Sequence, residues 1–561
     1  MDTSRLLRTS GAVFATAAML ISSAALEEAA PSASATSRPQ GRGDGTAHGA
    51  VADRSSYDAS TAGAVDRVRS HLGLSRVASP LAPLPLPGAR GAALRRYYEQ
   101  KLSWHACRTS GFECATMTAP LDYDRPGQGD DLKLAVSRKK ATGSGRRLGS
   151  LMVNPGGPGG SAITYLQQYA AAGYPAAVRA RYDMVAMDPR GVAGSEPVTC
   201  LSNAEMDAYT QVGQAPETDT EVDELVDAYR KFADGCANHS GRLLGHVSTV
   251  DAARDMDVLR AALGDEKLSY VGASYGTFLG ATYAGLFPAR VGRLVLDGAL
   301  DPSLDSARIN RDQTAGFQTA FTSFSQDCLK HKDCPLAPAA SPTAAGEHLG
   351  TLFKQLRAHP VPAARTRRLT ESLATMGVIS AMYDEAAWGL LRKGIGDARR
   401  GDGTVLLALS DAYYERDAHG AYSNLMYANA AVNCLDLPPA FRGPEDVREA
   451  LPEFTKASPI FGPTLAWSAL TCAYWPVPAI GHPHRITARG AAPILVVGTT
   501  RDPATPYQWA RSLASQLSSG RLLTYDGDGH TAYTRGSACV DKAVDNYLLT
   551  STPPPASQKC S

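Results

Sequence analysis

Short apolar runs, each closed by Gly, Pro or Asp, recur along this chain from about residue 91 onward. Runs of four to eight residues rich in Leu, Val, Met or Ile and bounded by turn residues are typical of buried β-strands. Six such runs predict six strands. Their sequences are LGSLMVNPGG, YDMVAMDPRG, KLSYVGASYG, RVGRLVLDGA, APILVVGTTRD and GRLLTYDGDGH.

Helical periodicity separates several of these strands. In VDAARDMDVLRAALGD, the residues Ala252, Met256, Leu259 and Leu263 fall on one face of a helix. Strands that alternate with helices predict an α/β fold with a mostly parallel sheet. In such a sheet the reacting groups lie in loops at the carboxyl ends of the strands.

The longest interval between predicted strands runs from DGALDPSLD to ILVVG and contains several helical segments. An insertion of this length predicts a large, mainly helical cap, residues 304–486, between two parts of the core, residues 91–303 and 487–561. Residues 36–90 are rich in Ala, Ser, Gly, Arg and Pro, which is typical of a linker or a pro-segment.

The amino terminus has the features of a secretory signal peptide. Arg5 and Arg8 precede an uncharged apolar stretch at 11–26, and Ala33-Ser34-Ala35 is a candidate cleavage site. The apolar stretch is shorter than the ~20 residues that a transmembrane helix needs. We therefore predict a signal peptide at 1–35, a secreted protein and no stable membrane anchor.

Ten cysteines follow the predicted signal peptide, and an even number in a secreted chain indicates disulfides. The sequence leaves the connectivity open, and a mixture of free buried thiols is the alternative. The simplest pairing joins neighbours along the chain: Cys107–Cys114, Cys200–Cys236, Cys328–Cys334, Cys434–Cys472 and Cys539–Cys560.

The cysteine spacing, the histidine pattern and the net charge indicate neither a metal site nor a nucleic-acid partner. No C-x-x-C pair is present, and His482-Pro483-His484 fits an exposed loop better than a metal site. The net charge is +1, with 44% hydrophobic and 20% charged residues, which is ordinary for a globular protein. A balanced charge gives no support for a nucleic acid or an anionic membrane as partner.

One strand ends in Gly272-Ala273-Ser274-Tyr275-Gly276, a G-x-S-x-G pattern, and a helical segment follows it. Strand, tight turn and helix form the context of a nucleophile elbow, in which the serine projects from the turn. Glycines fit there because the strand and the helix approach too closely for side chains. The alternative is an ordinary strand-to-helix turn with a capping serine.

A nucleophilic serine needs a base, and the base needs a carboxylate that orients it. Asp502 follows the fifth predicted strand and His530 follows the sixth, which gives the order Ser, Asp, His expected on this type of sheet. Histidine as a residue type titrates near neutral pH and suits proton transfer. Asp526 and Asp528 are weaker candidates for the acid.

Acyl transfer also needs N–H donors for the developing oxyanion. The backbone N–H of Tyr275, directly after the serine, is one candidate. The second should come from a loop after an early strand, and VNPGGPGGSA at 153–162 is such a loop. A flexible glycine-rich turn without this role is the alternative.

Five separated motifs together resemble a known family: NPGGPGGS, DPRGVAGSEPVTC, GASYGT, TTRDPATP and GDGHTAY. Over about residues 95–550 the chain is similar to the secreted tripeptidyl aminopeptidases of actinomycetes, α/β-hydrolase serine peptidases related to the proline iminopeptidases. The resemblance implies Ser274 as nucleophile, His530 as base, Asp502 as its orienting acid, and the Gly157 N–H beside that of Tyr275. Where those relatives have His before the glycines, this chain has Asn154-Pro155.

The resemblance further implies a cap that reads the free amine of a peptide through acidic residues. Asp436 is the first candidate for this anchor and Glu196 the second, with an ordinary structural role as the alternative for each. The predicted function is that of a secreted serine exopeptidase acting on peptides with a free amino terminus and releasing short peptides, of tripeptide length. This chemistry needs no cofactor. A secreted esterase or lipase, or a non-catalytic binding protein on a hydrolase scaffold, are the alternatives, and the sequence does not fix the oligomeric state.

Overall fold

The computed structural model describes residues 92–128, 130–364 and 366–561. The predicted signal peptide and the predicted pro-segment lie outside the described residues. Within them, the strands are β1 His105–Ala106, β2 Glu113–Pro120, β3 Asp131–Lys139, β4 Gly149–Asn154, β5 Tyr182–Met187, β6 Leu268–Ala273, β7 Val291–Asp297, β8 Val361–Pro362, β9 Arg368–Leu369, β10 Ile494–Arg501, β11 Gly520–Asp528 and β12 Gln558–Cys560.

The α-helices of the same residues follow in chain order. They are α1 Ala92–Tyr98, α2 Ala162–Tyr165, α3 Ala171–Gly173, α4 Ala176–Arg179, α5 Asn203–Gln211, α6 Asp219–Leu244, α7 Thr249–Ala262, α8 Tyr275–Leu286, α9 Ser306–Cys328, α10 Pro342–Ala358, α11 Glu371–Met382, α12 Trp388–Arg399, α13 Thr404–Tyr413, α14 Leu425–Asp436, α15 Pro444–Ala457, α16 Gly462–Ser468, α17 Tyr507–Gln516 and α18 Ala538–Thr550.

Ten strands form one sheet in the order β1-β2-β3-β5-β4-β6-β7-β10-β11-β12. From β5 to β12 all neighbours are parallel, whereas β1, β2 and β3 add an antiparallel edge. All six predicted strands are present, as β4, β5, β6, β7, β10 and β11. The mostly parallel sheet predicted from the alternation of strands and helices is therefore confirmed.

Side chains alternate between the two faces of this sheet, and each face is covered by its own apolar cluster. On β4, Leu151 and Val153 belong to one cluster and Met152 to the other. Helix α7, which the sequence predicted, buries Ala252, Met256 and Leu259 against the face that carries Met152. Strands covered on both faces read as continuous apolar runs, which explains why these strands were visible in the sequence.

A mainly helical cap lies between β7 and β10, as the sequence predicted. Helices α5 and α6, which the predicted boundaries assign to the core, also contribute to it. Leu225 and Tyr229 of α6 share an apolar cluster with Phe454 and Trp467 of the inserted segment. The cap thus draws on chain from before the elbow strand as well as after it.

The structure joins the same five cysteine pairs that simple neighbour pairing predicts: Cys107–Cys114, Cys200–Cys236, Cys328–Cys334, Cys434–Cys472 and Cys539–Cys560. None of the ten cysteines is a free thiol, so that alternative is wrong. Among the helices described, none combines the length and the apolar character needed to cross a bilayer.

Candidate active site

Ser274 lies in the turn between β6 and α8, with φ of 57° and ψ of −125°. A serine rarely adopts a positive φ, and such backbone strain persists only where the surrounding structure imposes it. Its N–H donates to the carbonyl oxygen of Asp297 on the neighbouring strand at 2.9 Å. The serine is half-buried and lies in the wall of an internal cavity.

Two glycines make this turn possible because neighbouring atoms fill the space of a side chain. A Cβ atom on Gly272 would lie 2.3 Å from the carbonyl oxygen of Gly276, and one on Gly276 would lie 2.9 Å from Oδ1 of Asn154. The steric reason for glycine inferred from the sequence is thus visible in the contacts of both positions.

His530 and Asp502 meet at the carboxyl ends of β11 and β10. Nδ1 of His530 lies 2.9 Å from Oδ1 and 3.0 Å from Oδ2 of Asp502, and both residues are 2% exposed. The carboxylate also accepts from the N–H groups of Ala504, Thr505 and Thr531. Several donors offset the cost of burying this charge.

The opposite ring nitrogen of His530, Nε2, is buried and has no hydrogen-bond partner among the described residues. A bond from Nδ1 to a carboxylate fixes the tautomer in which Nε2 is the acceptor. Thr505, whose hydroxyl lies 3.0 Å from Oδ2 of Asp502 and 3.3 Å from Nδ1 of His530, lies in the wall of the same cavity as Ser274.

The two weaker candidates for the acid have other partners. Asp526 is exposed and accepts from Arg501 and Thr500, and Asp528 pairs with Arg501 at 3.0 Å. Neither forms a hydrogen bond with His530. The structure thus brings Asp502, rather than Asp526 or Asp528, to the histidine.

The glycine-rich loop after β4 lies directly against the serine turn. A Cβ on Gly156 would lie 2.8 Å from Cβ of Ser274 and 2.9 Å from N of Tyr275. The N–H of Gly156 already donates to Oδ1 of Asn154 at 2.9 Å, so the next amide, that of Gly157, is the one left for a ligand. Asn154 therefore shapes the loop through this bond.

Tyr275 supplies the second candidate donor. It is the first residue of α8, and the first N–H groups of a helix have no partner within the helix. Both Gly157 and Tyr275 lie in the cavity wall with Ser274. The structure therefore brings the predicted nucleophile and the two predicted oxyanion donors to one surface.

This cavity has a volume of about 390 Å³ and lies between the sheet and the cap. That volume falls within the range of small-molecule sites, roughly 300–1,000 Å³. Most of its wall is aromatic or aliphatic, with contributions from α5, α6, α9, α11, α13, α14 and α16. The charged side chains in the wall are two carboxylates, Asp301 and Asp436, with no Lys, Arg or His among the lining residues described.

Asp436, the first candidate for the amine anchor, is the last residue of α14 and lines the cavity. One of its oxygens accepts from the N–H of Thr249 at 2.9 Å and the other from the Thr249 hydroxyl, which in turn contacts the Tyr275 hydroxyl at 2.6 Å. Burial raises the pKa of Asp436 to about 7, against the lowering effect of the Thr249 hydrogen bonds.

The second candidate, Glu196, is not brought to the cavity, and this part of the prediction needs correction. Its carboxylate accepts from the N–H of Lys133 at 2.9 Å and pairs with Arg242 at 2.6 Å. Glu196 holds strand β3 to α6, which is the structural role that the sequence analysis gave as the alternative. Asp301, which the sequence did not single out, is the second acidic residue of the cavity.

The contact between the cap and the His530 loop was also missed. The carbonyl oxygen of Tyr383 accepts from the His530 N–H at 2.9 Å, and the two rings meet edge to face with centroids 5.5 Å apart. Beside them, Asp384 and Arg535 form a buried ion pair at 2.9 Å. Nothing in the local sequence of Tyr383-Asp384 indicates a partner almost 150 positions further along the chain.

The rings of His482 and His484 meet edge to face in a loop, with centroids 5.8 Å apart, and Nδ1 of His484 is bonded to the His482 carbonyl. In the described residues no group of three or more His, Cys, Asp or Glu side chains could hold a metal ion.

Comparisons with known proteins agree with this geometry. Residues 149–383 match the model of the alpha/beta hydrolase fold, and residues 458–560 match that of TAP-like protein. The chain is 39% identical to serine protease Hip1 of Mycobacterium tuberculosis over 501 residues, which covers 84% of this chain and 93% of the relative. It is 33% identical to tripeptidyl aminopeptidase of Streptomyces coelicolor, over 82% and 86% of the two chains.

The chain belongs to the α/β-hydrolase family of the tripeptidyl aminopeptidases. It is accordingly a serine hydrolase of the α/β fold, and the predicted fold class is confirmed. Another relative in this family, carboxylesterase B of Mycobacterium tuberculosis, is 39% identical over 86% of this chain and 95% of its own length. The solved structure of proline iminopeptidase from Mycobacterium smegmatis covers 77% of this chain and 97% of its own, with 15% identity and a TM-score of 0.33.

Proposed function

We propose that this protein is a secreted serine aminopeptidase that releases short peptides, of tripeptide length, from free amino termini. Ser274 is the nucleophile, His530 the general base and Asp502 the residue that orients it. The observation that carries the proposal is the cavity: Ser274 opens into an enclosed space whose charged side chains are all carboxylates.

The geometry supports an acyl-enzyme mechanism. Nε2 of His530 takes the proton from Oγ of Ser274 as the oxygen attacks the scissile carbonyl. The N–H groups of Gly157 and Tyr275 stabilise the oxyanion of the tetrahedral intermediate. When the intermediate collapses, His530 gives the proton to the departing amine. Water then attacks the ester on Ser274 by the same route and frees the released peptide.

The cap supports exopeptidase rather than endopeptidase activity. Its helices form most of the wall of the cavity that Ser274 lines, which favours a substrate whose chain ends within the cavity. An ammonium group would be the natural partner of the cavity carboxylates. Asp436 accepts hydrogen bonds from Thr249, and Asp301 accepts them from Ser303 and Gln516, but neither forms an ion pair with a Lys, Arg or His of the described chain. A buried carboxylate without a cationic partner favours a cationic ligand.

Asp436 is our candidate for the amine anchor within this proposal. It lines the cavity, and it connects through Thr249 to the ring hydroxyl of Tyr275, the residue whose N–H we assign to the oxyanion hole. An amine bound at Asp436 would therefore be held in fixed relation to Ser274. The span between the two sets the length of the released peptide.

The five disulfides support secretion. Disulfides form and persist in oxidising compartments, and all ten cysteines of the chain are paired. The predicted signal peptide at residues 1–35 gives the same compartment from the sequence.

The decisive experiment compares three substrates with the wild-type enzyme and Ser274→Ala. They are a tripeptide anilide with a free amine, its N-acetylated counterpart and a short-chain ester. We expect cleavage of the free-amine peptide only, lost in the variant. Equal cleavage of both peptides would contradict the amine anchor, and hydrolysis of the ester alone would favour the esterase function suggested by the relative named carboxylesterase B.

A further inference from the structure

Asp297 ends strand β7, next to the strand that carries Ser274, and is 3% exposed. In the register of the two strands it lies opposite Ala273, the residue before the nucleophile. Its carbonyl oxygen accepts the Ser274 N–H at 2.9 Å. The main chain of Asp297 thus fixes one side of the serine turn.

The side chain of the same residue fixes the loop of the base. Oδ2 of Asp297 accepts the N–H of Ala532 at 3.0 Å and that of Tyr533 at 2.9 Å, and Oδ1 lies 3.1 Å from the Ala532 nitrogen. These amides follow His530 by two and three residues. Only a carboxylate offers oxygen acceptors to both amides without presenting a donor of its own.

We propose that Asp297 is a positioning residue for the reaction, which sets Ser274 and the His530 loop at their working separation and does so in its ionised form. The proposal rests on the assignment of Ser274 and His530 as nucleophile and base. Asp297 itself contacts neither substrate nor the reacting atoms.

The surroundings make this carboxylate sensitive to pH. Burial raises the pKa of Asp297 to about 6, opposed by the hydrogen bonds from Tyr533 and Ala532 and by the nearby His530, while Asp502 raises it further. Tyr165, Tyr169 and Tyr174, in the helical segment after β4, are near enough to interact electrostatically with Asp297. No Lys or Arg of the described chain forms an ion pair with it.

A proton on Oδ1 would place a hydroxyl donor against the Ala532 N–H, 3.1 Å away, and would weaken the hold of the carboxyl group on the loop. The pKa of Asp297 is about 6 in the folded protein, against about 3.9 in an unfolded chain. The free energy of unfolding therefore falls as the pH rises from about 3.9 through 6, because ionising the buried carboxyl costs stability. Replacing it by the neutral isostere Asn therefore removes this electrostatic cost. A loss of activity in Asp297→Asn without a matching loss of stability would mark positioning rather than scaffolding.

The test measures the rate at which a fluorophosphonate labels Ser274, across pH 4.5 to 8, in the wild type, Asp297→Asn and Asp297→Glu. Labelling needs only an activated serine, so its outcome is independent of whether the enzyme is a peptidase or an esterase. Asp545→Asn is the matched control, because Asp545 bonds the Tyr533 hydroxyl at 2.7 Å instead of the loop amides.

We expect the wild-type rate to fall more steeply in the acid range than the rate of Asp297→Asn, because only the wild type also depends on the ionised carboxylate of Asp297. Asp297→Asn should be labelled about tenfold more slowly at pH 7.5, a loss of the size expected when a general base is misplaced. Its rate should fall in the acid range with a slope of one on logarithmic axes. Asp297→Glu should keep the steeper slope, and Asp545→Asn should match the wild type.

A wild-type slope of one, or an Asn variant as fast as the wild type, would overturn the proposal. Should Asp297→Asn fail to fold, the wild-type slope and the Glu variant still decide it. Absence of labelling in the wild type itself would instead contradict the assignment of Ser274 and His530 on which the proposed function depends.

Discussion

The backbone of Ser274 stores strain that two glycines permit. Its positive φ presents the hydroxyl to the cavity, and the contacts of Gly272 and Gly276 leave no room for a methyl group. The absence of side chains at Gly272 and Gly276 is therefore as necessary to the turn as the Ser274 hydroxyl is to the proposed reaction. The serine and its glycine neighbours therefore give the sharpest single-residue predictions.

Removing the nucleophile should abolish activity. We expect Ser274→Ala to lower kcat by a factor of roughly 10⁴ or more, because the remaining oxyanion donors alone give little catalysis. The unfolding midpoint should stay unchanged or rise slightly, since alanine loses only a hydroxyl. Retained hydrolysis at more than a few per cent of the wild-type rate would show that another residue attacks the substrate.

The glycine contacts predict a difference between two Gly→Ala substitutions. Gly272→Ala should destabilise the fold by about 3 kcal/mol, because the new methyl group would overlap the Gly276 carbonyl. Gly241→Ala, at an open position in α6, should stabilise by about 0.5–1 kcal/mol. Denaturant unfolding of both variants would test the pair. Equal stability of the two proteins would contradict the close packing of the elbow.

The raised pKa of Asp436 predicts how binding of a free-amine tripeptide depends on pH. Below about 7 the carboxyl is protonated and cannot hold an ammonium, while the amine itself loses its charge near pH 8. The inhibition constant of the tripeptide should thus be lowest between pH 7 and 8. Asp436→Asn should raise the inhibition constant about tenfold, as expected for the loss of one charged hydrogen bond. The variant should also lack the rise of the inhibition constant below pH 7.

An N-acetylated tripeptide is the control for that measurement. It lacks the ammonium, so its inhibition constant should be weak in both proteins and should not depend on Asp436. If the acetylated and free peptides respond alike to Asp436→Asn, the residue only caps α7 through Thr249.

Among the elements, the junction between α11 and the loop after β11 joins the cap to His530, the proposed base. Tyr383 holds the His530 amide, and the adjacent Asp384 pairs with Arg535 in a buried ion pair whose side chains are 6% and 9% exposed. A shift of the cap at this point would therefore reach the imidazole directly.

Breaking that ion pair should cost both stability and activity. Asp384→Asn leaves Arg535 buried without its partner and should destabilise by about 3–5 kcal/mol, with a lower kcat. The double variant with Arg535→Gln should recover part of the lost stability. A thermodynamic cycle from urea unfolding gives the coupling, and additive effects of the two substitutions would show that the pair does not act as a unit.

The elements also show which patterns the sequence reveals. Strands β4 to β7, β10 and β11 have apolar runs because both faces of the sheet are covered. The antiparallel strands β2 and β3 were missed because ECATMTAP and DLKLAVSRK alternate apolar with polar residues. Alternation is the signal of a half-buried strand and could have revealed them.

The residues of the candidate site also differ in whether the sequence alone locates them. Ser274, Asp502 and His530 follow strands in a known order, so local sequence locates them. The cavity wall and the bond from Asp297 to the His530 loop bring together residues from distant segments. Glu196 belongs to one of the quoted motifs, but its partners are Lys133 and Arg242 and it does not line the cavity. Such contacts depend on packing, which a single sequence does not specify.

For the whole molecule, disulfides connect regions that packing alone would leave free to separate. Cys200–Cys236 and Cys434–Cys472 close loops of 36 and 38 residues. The first ties the loop after β5 to α6, and the second ties the end of α14, beside Asp436, to the segment after α16. Both therefore stabilise the walls of the cavity.

Opening Cys434–Cys472 should loosen the cavity wall. The entropy of loop closure predicts a loss of about 4 kcal/mol for a loop of this length. We expect Cys434→Ser with Cys472→Ser to lower the Tm and to raise KM for free-amine peptides more than it lowers kcat. The same pair of substitutions at Cys107 and Cys114, far from the cavity, should leave KM unchanged. Equal effects on KM would show that the disulfide stabilises the protein only globally.

The order of the reacting residues along the chain also matters during biosynthesis. Ser274 is made near the middle of the chain, but its proposed base and acid belong to the last strands, after the whole cap. A chain synthesised only as far as the cap would contain the serine without the histidine. The proposed triad can therefore assemble only after the final segment, with β10, β11 and their loops, has been made and has folded against the earlier strands.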